Sequence, residues 1–202
     1  MALGTYTGLL ASIAAWLARA DLTTTIPDFV LLAEAKFNRT LRARQMETRA
    51  NLTISGEYVP VPNDWLEFRS GYIDSAPRRP LHYLSSDTQT ERFDASTQRT
   101  EGPVHFSMAG NNFRFAPTPA TVDAVILYYA AIPPLASNAT NWLLTAHPDA
   151  YLYGSIMQAE GYIQNDPRIA GVKALYEEVI GQIMNASNRA RWGGPAMAAR
   201  AA

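Results

Sequence analysis

The stretch from Asn141 to Arg191 constrains the fold most, because it contains two amphipathic helices that need partners elsewhere in the chain. In the second helix the apolar residues recur at helical spacing, namely Ile169, Val172, Leu175, Tyr176, Val179, Ile180, Ile183 and Met184. Asp166 is placed to cap this helix and Pro167 to take its first position, as Pro148-Asp149 does for the helix before it. Two such helices cannot bury both apolar faces by themselves.

The first 45 residues supply the partners. Residues 5–20 form one helix, with one apolar face made of Leu9, Ile13, Trp16, Leu17 and Ala20. The tetrapeptide Thr25-Ile-Pro-Asp28 resembles a capping box and predicts the start of a second helix. Its apolar stripe is Phe29, Leu32, Ala33, Phe37 and Leu41, and its polar side is Glu34, Asn38, Arg39 and Arg42. Four apolar stripes from opposite ends of the chain can close as a four-helix bundle. The residues predicted to be buried together are Leu32, Phe37, Leu152, Ile156, Leu175 and Val179.

Between the helical ends the hydrophobic period drops to about two, which is typical of strands. The predicted strands are Arg49–Ile54, Glu57–Val61, Trp65–Ile73, Leu81–Leu84, Val104–Met108, Asn112–Ala116 and Asp123–Ile132. The clearest is the hairpin VHFSMAGNNFRF, where Gly110 and Asn111 tolerate the turn and Phe106, Phe113 and Phe115 share a face. Residues 85–101 are polar and nearly free of aliphatic side chains, so we expect an exposed, mobile loop outside any core.

These patterns predict an α+β fold, a four-helix bundle from the N- and C-terminal helices with an inserted antiparallel β domain. We expect residues 1–45 to form the first half of the bundle and residues 46–136 the β domain. Residues 137–192 then form the second half, and residues 193–202 a flexible tail whose Gly193-Gly194-Pro195 stops the helix.

No active site is visible in the sequence, so no catalytic residue, metal ligand or cofactor is predicted. The chain has no cysteine, and its three histidines, His82, His105 and His147, stand far apart along it. Asp64 and Glu67 flank Trp65, as paired carboxylates flank a sugar-stacking ring, but a turn and an alternating strand explain the same residues. A glycine-rich phosphate loop and a nucleophile elbow are also absent.

The charge pattern favours protein contacts over strong nucleic-acid binding. The formal net charge is −1, but there are fifteen arginines against two lysines, and arginine suits protein interfaces better. Codon bias is the alternative explanation. Arg39, Arg42, Arg44 and Arg49 form a run at the end of the second helix, where positive charge is favoured in any case. This run is predicted to face a neighbouring subunit or the phosphate backbone of DNA.

The other basic segment is the C-terminus. Residues 179–202 contain Arg189, Arg191 and Arg200, no acidic residue, and Trp192 at the root of the tail. The apolar N-terminal run from Leu9 to Ala20 is too short for a membrane span, and it lacks the basic start of a signal peptide. We therefore expect synthesis in the cytoplasm and no membrane partner.

Four stretches, in order and spacing, resemble the adaptor family of tailed bacteriophages, the head-to-tail connectors similar to tail tubular protein A of short-tailed phages. They are VPVPNDWLEFRSGYI, GPVHFSMAGNNFRFAPTPA, ILYYAAIPPLASNATNWLL and HPDAYLYGSIMQAEGYIQNDPR. The resemblance runs from about Pro27 to Arg191. His105-Phe106 departs from it, because a Tyr-Tyr or Tyr-Phe pair would be expected there.

The resemblance implies a structural virion protein rather than an enzyme. Such adaptors have a helical bundle with an inserted β domain and assemble as a ring, usually a dodecamer, beneath the portal. The ring extends the channel through which double-stranded DNA passes without sequence recognition. It also offers a platform for the next tail or nozzle protein and sometimes for fibres. The place of action would be the neck of the virion, after assembly in the host cytoplasm.

The same resemblance suggests a role for the C-terminus, because adaptors of this family send a C-terminal arm onto the portal. Arg189, Arg191, Trp192 and Arg200 are the residues expected to make that contact. A different class of function stays open beside it. The chain could be a monomeric β-sandwich binding module, for carbohydrate or protein, with a helical appendage.

Overall fold

The computed structural model describes residues 3–93, 98–99, 105–119, 121–162 and 167–192. Helices and sheets both occur, so the α+β prediction is confirmed. The chain forms two compact units, a helical unit from Met1–Met46 with Ile132–Ala202 and a β unit from Glu47–Ala131. No helix in the described ranges is both long and apolar enough to cross a bilayer.

The described helices are α1 Tyr6–Leu17, α2 Ile26–Thr40, α3 Ser86–Arg92, α4 Trp142–Ala146, α5 Pro148–Gln158 and α6 Arg168–Trp192. Short 3-10 turns lie at Ala20–Leu22, Arg44–Met46 and Ala159–Gly161. Pro148 opens α5 as expected, and Thr5 caps α1 through its side chain. Thr25 makes no such bond, so the capping box predicted for α2 is wrong. Asp166, the predicted cap of α6, lies outside the described residues.

Helix α5 is the centre of the helical unit, since it packs against α1, α2, α4 and α6. Tyr151 on α5 is fully buried, and its ring meets Phe37 of α2 edge-on at 5.1 Å. One turn later, a Cβ atom added to Gly154 would lie 2.9 Å from the Phe37 ring, so glycine permits this close approach. Helices from both ends of the chain thus share one core.

For two residues, the prediction that they are buried in that core is wrong. Leu32 is 50% exposed and Leu175 is 44% exposed, whereas Phe37, Ile156 and Val179 are buried as expected. Leu152 is half-buried. The inward-facing stripe of α2 is therefore rotated from the predicted one. It includes Glu34, which was assigned to the polar side and is only 4% exposed.

Glu34 belongs to a buried hydrogen-bond network. Its Oε1 accepts the backbone N–H of Leu135 at 2.8 Å and the hydroxyl of Tyr151 at 3.1 Å. Asn141 donates to the same hydroxyl at 2.6 Å and, through its side-chain oxygen, caps α4 at the Leu144 N–H. The network therefore joins α2, α4, α5 and the segment that enters the helical unit after the last strand.

The strands are β1 Glu47–Ile54, β2 Tyr58–Pro60, β3 Trp65–Ile73, β4 Arg79–Pro80, β5 His82–Tyr83, β6 Gln98–Arg99, β7 His105–Ala109, β8 Asn112–Ala116, β9 Thr118–Pro119 and β10 Val122–Ala130. One four-stranded sheet has the order β1-β10-β3-β4 and another the order β2-β8-β7-β5. A single buried cluster takes side chains from both sheets, which therefore pack face to face.

The hairpin prediction is confirmed. Strands β7 and β8 pair antiparallel around a turn where Gly110 has φ +60°, and Phe106, Phe113 and Phe115 are buried. The β domain is not wholly antiparallel, since β5 pairs parallel with β7 and β6 with β9. Each of these parallel contacts is two residues long, which is too short to produce a recognisable hydrophobic period in the sequence.

The prediction of an exposed loop at residues 85–101 is wrong in its first half. Ser85 caps α3 by accepting the Thr88 N–H, and Gln89 on α3 is fully buried. The Gln89 amide group donates to the carbonyl of Arg114 at 3.1 Å, and its oxygen accepts from the Ser107 hydroxyl. A buried glutamine thus anchors this polar segment on β7 and β8. Of the second half, Phe93 and the backbone of β6 lie within the described residues.

Candidate basic interface

A hydrogen bond joins the two basic segments of the chain, the arginine run at the end of α2 and the C-terminal part of α6. After α2 ends at Thr40, the chain makes the 3-10 turn Arg44–Met46, which packs against α6. There the Arg44 backbone N–H donates to the Ser187 hydroxyl at 2.8 Å, across 143 residues of chain. Ser187 is 4% exposed, so the contact is an internal one. We call segments 36–46 and 179–192, taken together, the basic tip.

Helices α2 and α6 run in the same direction toward this tip. Further from it, the rings of Phe37 and Tyr176 stack at 6.2 Å, and the Lys36 ammonium lies 4.5 Å above the Tyr176 ring. The bond between Arg44, four residues beyond the end of α2, and Ser187, near the end of α6, lies further along both segments. Two helix C-termini, each with the partial negative charge of its helix dipole, therefore meet at one end of the unit.

The arginines of the tip differ in what they contact. Arg42 is half-buried and donates to the carbonyls of Asn38 and Leu41, at 3.0 and 2.6 Å, so it caps the end of α2. Arg39, Arg44 and Arg189 are exposed, and none of them forms an ion pair with a carboxylate in the described part of the chain. These three guanidinium groups are available to a partner.

Charge balance shows that the tip carries more positive charge than its helix ends require. Its six cations are Lys36, Arg39, Arg42, Arg44, Arg189 and Arg191, and it has no carboxylate. Two helix C-termini amount to about one negative charge together. An excess of several positive charges remains, enough to attract an anionic surface at short range.

The other predicted contact residues lie elsewhere. Arg49 is exposed on β1, in the β unit, whereas Arg39, Arg42 and Arg44 belong to the helical unit. Trp192 is the last residue of α6, and only its backbone is described. Arg200 and the rest of the tail lie outside the described residues. Arg191 is half-buried at the end of α6.

Sequence reasoning missed Lys36 and Ser187 as parts of this surface. Lys36 lies one turn before the arginine run, and it is one of only two lysines in the chain. Ser187 interrupts the exposed end of α6 as a buried polar residue four positions after Ile183. That helical spacing was the available signal, because a small polar residue in line with an apolar stripe often binds a backbone group of a neighbour.

The β unit contains a second candidate surface, an apolar groove of about 510 Å³ lined by Trp65, Leu66, Glu67, Phe68, Tyr83, Phe106 and Met108. One face of Trp65 is covered, since its ring stacks on Tyr128 at 5.3 Å. Asp64 accepts the Tyr128 hydroxyl at 2.8 Å, and burial together with this carboxylate raises the pKa of Tyr128 to about 12. Trp65 and Asp64 thus have structural partners, which weakens the comparison with a sugar site.

Two histidines that are distant in sequence are neighbours in the fold. His82 on β5 and His105 on β7 have ring centroids 6.1 Å apart, although they are 23 residues apart in the chain. Burial lowers the pKa of His105, and the charges of His82 and Arg92 lower it further. Over the described residues, no group of three or more His, Asp or Glu side chains is placed to hold a metal ion.

The chain matches a known protein family. The family model described as SU10 adaptor protein matches residues 4–199, which is nearly the whole chain. A search of curated proteins finds no match.

Proposed function

Because the chain belongs to the SU10 adaptor protein family, a family of structural phage adaptors, we propose that it forms a ring beneath the portal of the filled head. The ring extends the DNA channel, and its distal side carries the next tail or nozzle protein and, in some phages, fibres. The family match is the observation that carries this proposal. The same match places the protein in the neck of the virion, and we propose that it assembles there from the host cytoplasm.

The portal contact is assigned to the end of α6 and the tail that follows. Arg189 and Arg191 pair with portal carboxylates, Trp192 enters an apolar pocket, and Arg200 adds a further cation. Support comes from the exposed, unpaired Arg189 and from the absence of any carboxylate after Glu178. Residues 193–202 order on docking, which favours reversible assembly over high affinity.

The ring also needs subunit contacts and a channel wall. Arg39, Arg42, Arg44 and Arg49 are the proposed residues for these roles, and Arg42 contributes by fixing the end of α2. We propose a dodecamer with non-specific passage of double-stranded DNA. The working bodies are a four-helix bundle of α1, α2, α5 and α6 within residues 1–45 and 137–192, an inserted β domain at 46–136, and the tail.

Truncation after Ala190 tests the portal contact. The truncated protein should keep its melting temperature nearly unchanged, because the core of α6 ends with Ile183 and Ser187. It should fail to cosediment with purified portal. A second variant, truncated after Trp192, keeps both arginines and the tryptophan and should bind more strongly than the shorter one. Undiminished portal binding by the shorter variant would sink the assignment.

The alternative of a monomeric binding module is supported by the apolar groove of the β unit. Sedimentation of the protein mixed with portal separates the two functions. An adaptor sediments with the portal as a ring, whereas a binding module keeps the mass of a single chain. A glycan array over the same protein would then show whether the groove takes carbohydrate.

A further inference from the structure

The outward face of α2 is apolar at its centre and positively charged at one end. Leu31 is 57% exposed and Leu32 is 50% exposed, two adjacent leucines in contact with solvent. Asp28 precedes them by one turn, and Arg39 follows them by two. Arg44 lies beyond, at the basic tip. A single exposed leucine is unremarkable in a folded protein, but two together beside unpaired arginines form a surface suited to a protein partner.

Helix α6 presents a surface of similar apolar character and opposite charge. Leu175 is 44% exposed, and Glu178 follows it by about one turn on the same side of the helix, whereas Glu177, two positions after Leu175, lies on another side. Glu178 accepts a hydrogen bond from Gln182 at 3.0 Å, but neither glutamate pairs with a cation in the described part of the chain.

Charge is segregated over the whole helical unit. Outside the basic tip, residues 1–34 and 132–178 contain eight carboxylates and three cations, namely Arg19, Arg168 and Lys173. Among the exposed acids of these ranges, Asp21 binds Arg19 at 2.6 Å, whereas Asp28, Glu160, Glu177 and Glu178 form no ion pair in the described part of the chain. On α6, Glu178 is thus an unpaired acid beside an exposed leucine, and the exposed arginines Arg39, Arg44 and Arg189 lie at the tip.

We propose that the face of α2 made by Leu31, Leu32 and Arg39, together with Arg44 of the basic tip, binds a second copy of the chain at the patch made by Leu175 and Glu178 of α6. Two different patches on one molecule make a heterologous contact, which closes into a ring when the rotation between copies allows it. The leucines supply apolar contact and the opposite charges set the orientation. This inference rests on the proposed ring and identifies which surfaces hold it together.

A second copy explains the surface better than DNA does. A phosphate backbone gains nothing from Leu31 and Leu32. The acidic patch of the chain itself supplies both apolar and negative groups. Arg189 stays assigned to the portal, so the subunit contact and the portal contact meet at the basic tip.

Complementary charge reversal tests the contact. We measure self-association by sedimentation velocity over a concentration series at low and at high salt, for the wild type, Arg39→Glu/Arg44→Glu and Glu178→Arg. Each variant alone should associate at least about tenfold more weakly than the wild type, because like charges then face each other. An equimolar mixture of the two variants should recover association, since each reversed surface meets its complement. High salt should weaken the wild-type contact.

Two further variants separate this contact from general charge effects. Arg92→Glu changes an exposed arginine at the end of α3, in the β unit, and should leave self-association unchanged. Leu31→Ser/Leu32→Ser keeps every charge and should weaken association while the protein stays folded. The inference is overturned if the wild type stays monomeric at every concentration at low salt, or if the mixture of charge variants associates no better than its parts. Neither result touches the proposed function, which is decided separately by cosedimentation of the intact chain with portal.

Discussion

The helical unit and the β unit hold their cores together with different kinds of side chain. At the centre of the helical unit, the carboxylate of Glu34 and the hydroxyl of Tyr151 are buried together and bound to Asn141 and a backbone N–H. The centre of the β unit is aromatic: Phe106 lies 4.5 Å from Phe68 and 5.8 Å from Phe113, centroid to centroid. Hydrogen bonds have direction, whereas ring contacts tolerate several arrangements.

The difference indicates which task each kind of core performs. The segment that enters the helical unit buries Ile132 and Leu135, and the N–H groups of these two residues are bound by Asn38 and Glu34. The two acceptors fix the direction of this backbone, which belongs to no helix or strand. In the β unit, the ladders already fix the backbone, so the side chains only need to fill the space between the sheets.

The largest expected effects come from removing one large ring in each unit. Phe37→Ala and Phe113→Ala should each lower the free energy of unfolding by about 3–5 kcal/mol, because each deletes a fully buried ring. Chemical denaturation followed by hydrogen exchange of α5 and β8 amides assigns each loss to its unit. Equal loss of protection in both units for either variant would show that the two cores unfold as one.

Leu32→Ala and Leu175→Ala are the matched controls, since these leucines are about half exposed. Each should cost less than about 1 kcal/mol, because surface changes away from the core rarely exceed that. A loss comparable with that of Phe37→Ala would show that these leucines are core residues, as the sequence predicted.

Glu34→Ala should have the next largest effect, about 2–4 kcal/mol, because it leaves the Leu135 N–H and the Tyr151 hydroxyl buried without their acceptor. Glu34→Gln keeps an oxygen at the same place and should cost much less. Equilibrium unfolding of both variants measures the contrast. If the two substitutions lower the free energy of unfolding by the same amount, the Glu34 side chain does not anchor the Leu135 N–H and the Tyr151 hydroxyl.

Gln89→Ala tests the corresponding polar anchor of the β unit. It removes the bonds to the Arg114 carbonyl and the Ser107 hydroxyl and should cost about 1–3 kcal/mol. Amide exchange in α3 should accelerate well beyond that in β10. Unchanged protection of α3 would mean that the ion pair of Arg114 with Glu57, at 2.6 Å, and the bond from Arg114 to Thr90 suffice to hold this side of the sheet.

The smallest expected effect is on how stability changes with pH, and it has opposite signs in the two units. Burial raises the pKa of Glu34 above its ordinary 4.5, against the two hydrogen bonds that lower it. The folded state then holds the proton more tightly, so this contribution to stability is full below the ordinary pKa and is lost as pH rises through the folded one. Burial lowers the pKa of His105 below its ordinary 6.5. Its contribution is full above that value and is lost as pH falls.

Acidification from neutral pH should therefore favour the helical unit through Glu34 and disfavour the β unit through His105. Unfolding free energies measured at several pH values for Glu34→Gln and His105→Phe check this. Relative to wild type, the first variant should reduce the loss of stability with rising pH above 4.5, and the second the loss with falling pH below 6.5. Identical slopes in all three proteins would contradict the comparison.

Local patterns in the sequence predicted the elements well where one period covered the whole element. Strands β3 and β8 have the predicted bounds, and Gly110 forms the turn of the predicted hairpin. Glu34 and Gln89 were placed on exposed surfaces because they are polar. A buried polar residue carries no signal in its own segment, since its partners, such as Leu135 and Ser107, lie elsewhere in the chain.

The candidate interface divides in the same way. The sequence by itself determined that arginines cluster near residue 42 and again near residue 190, and that the later cluster has no acid beside it. Only the tertiary structure decided that the two clusters share one tip, through Arg44 and Ser187, and that Arg49 belongs to another unit. Helix periodicity specifies which side of a helix is apolar, within about one residue. Which helix ends meet depends on packing over long sequence distances, which no local pattern encodes.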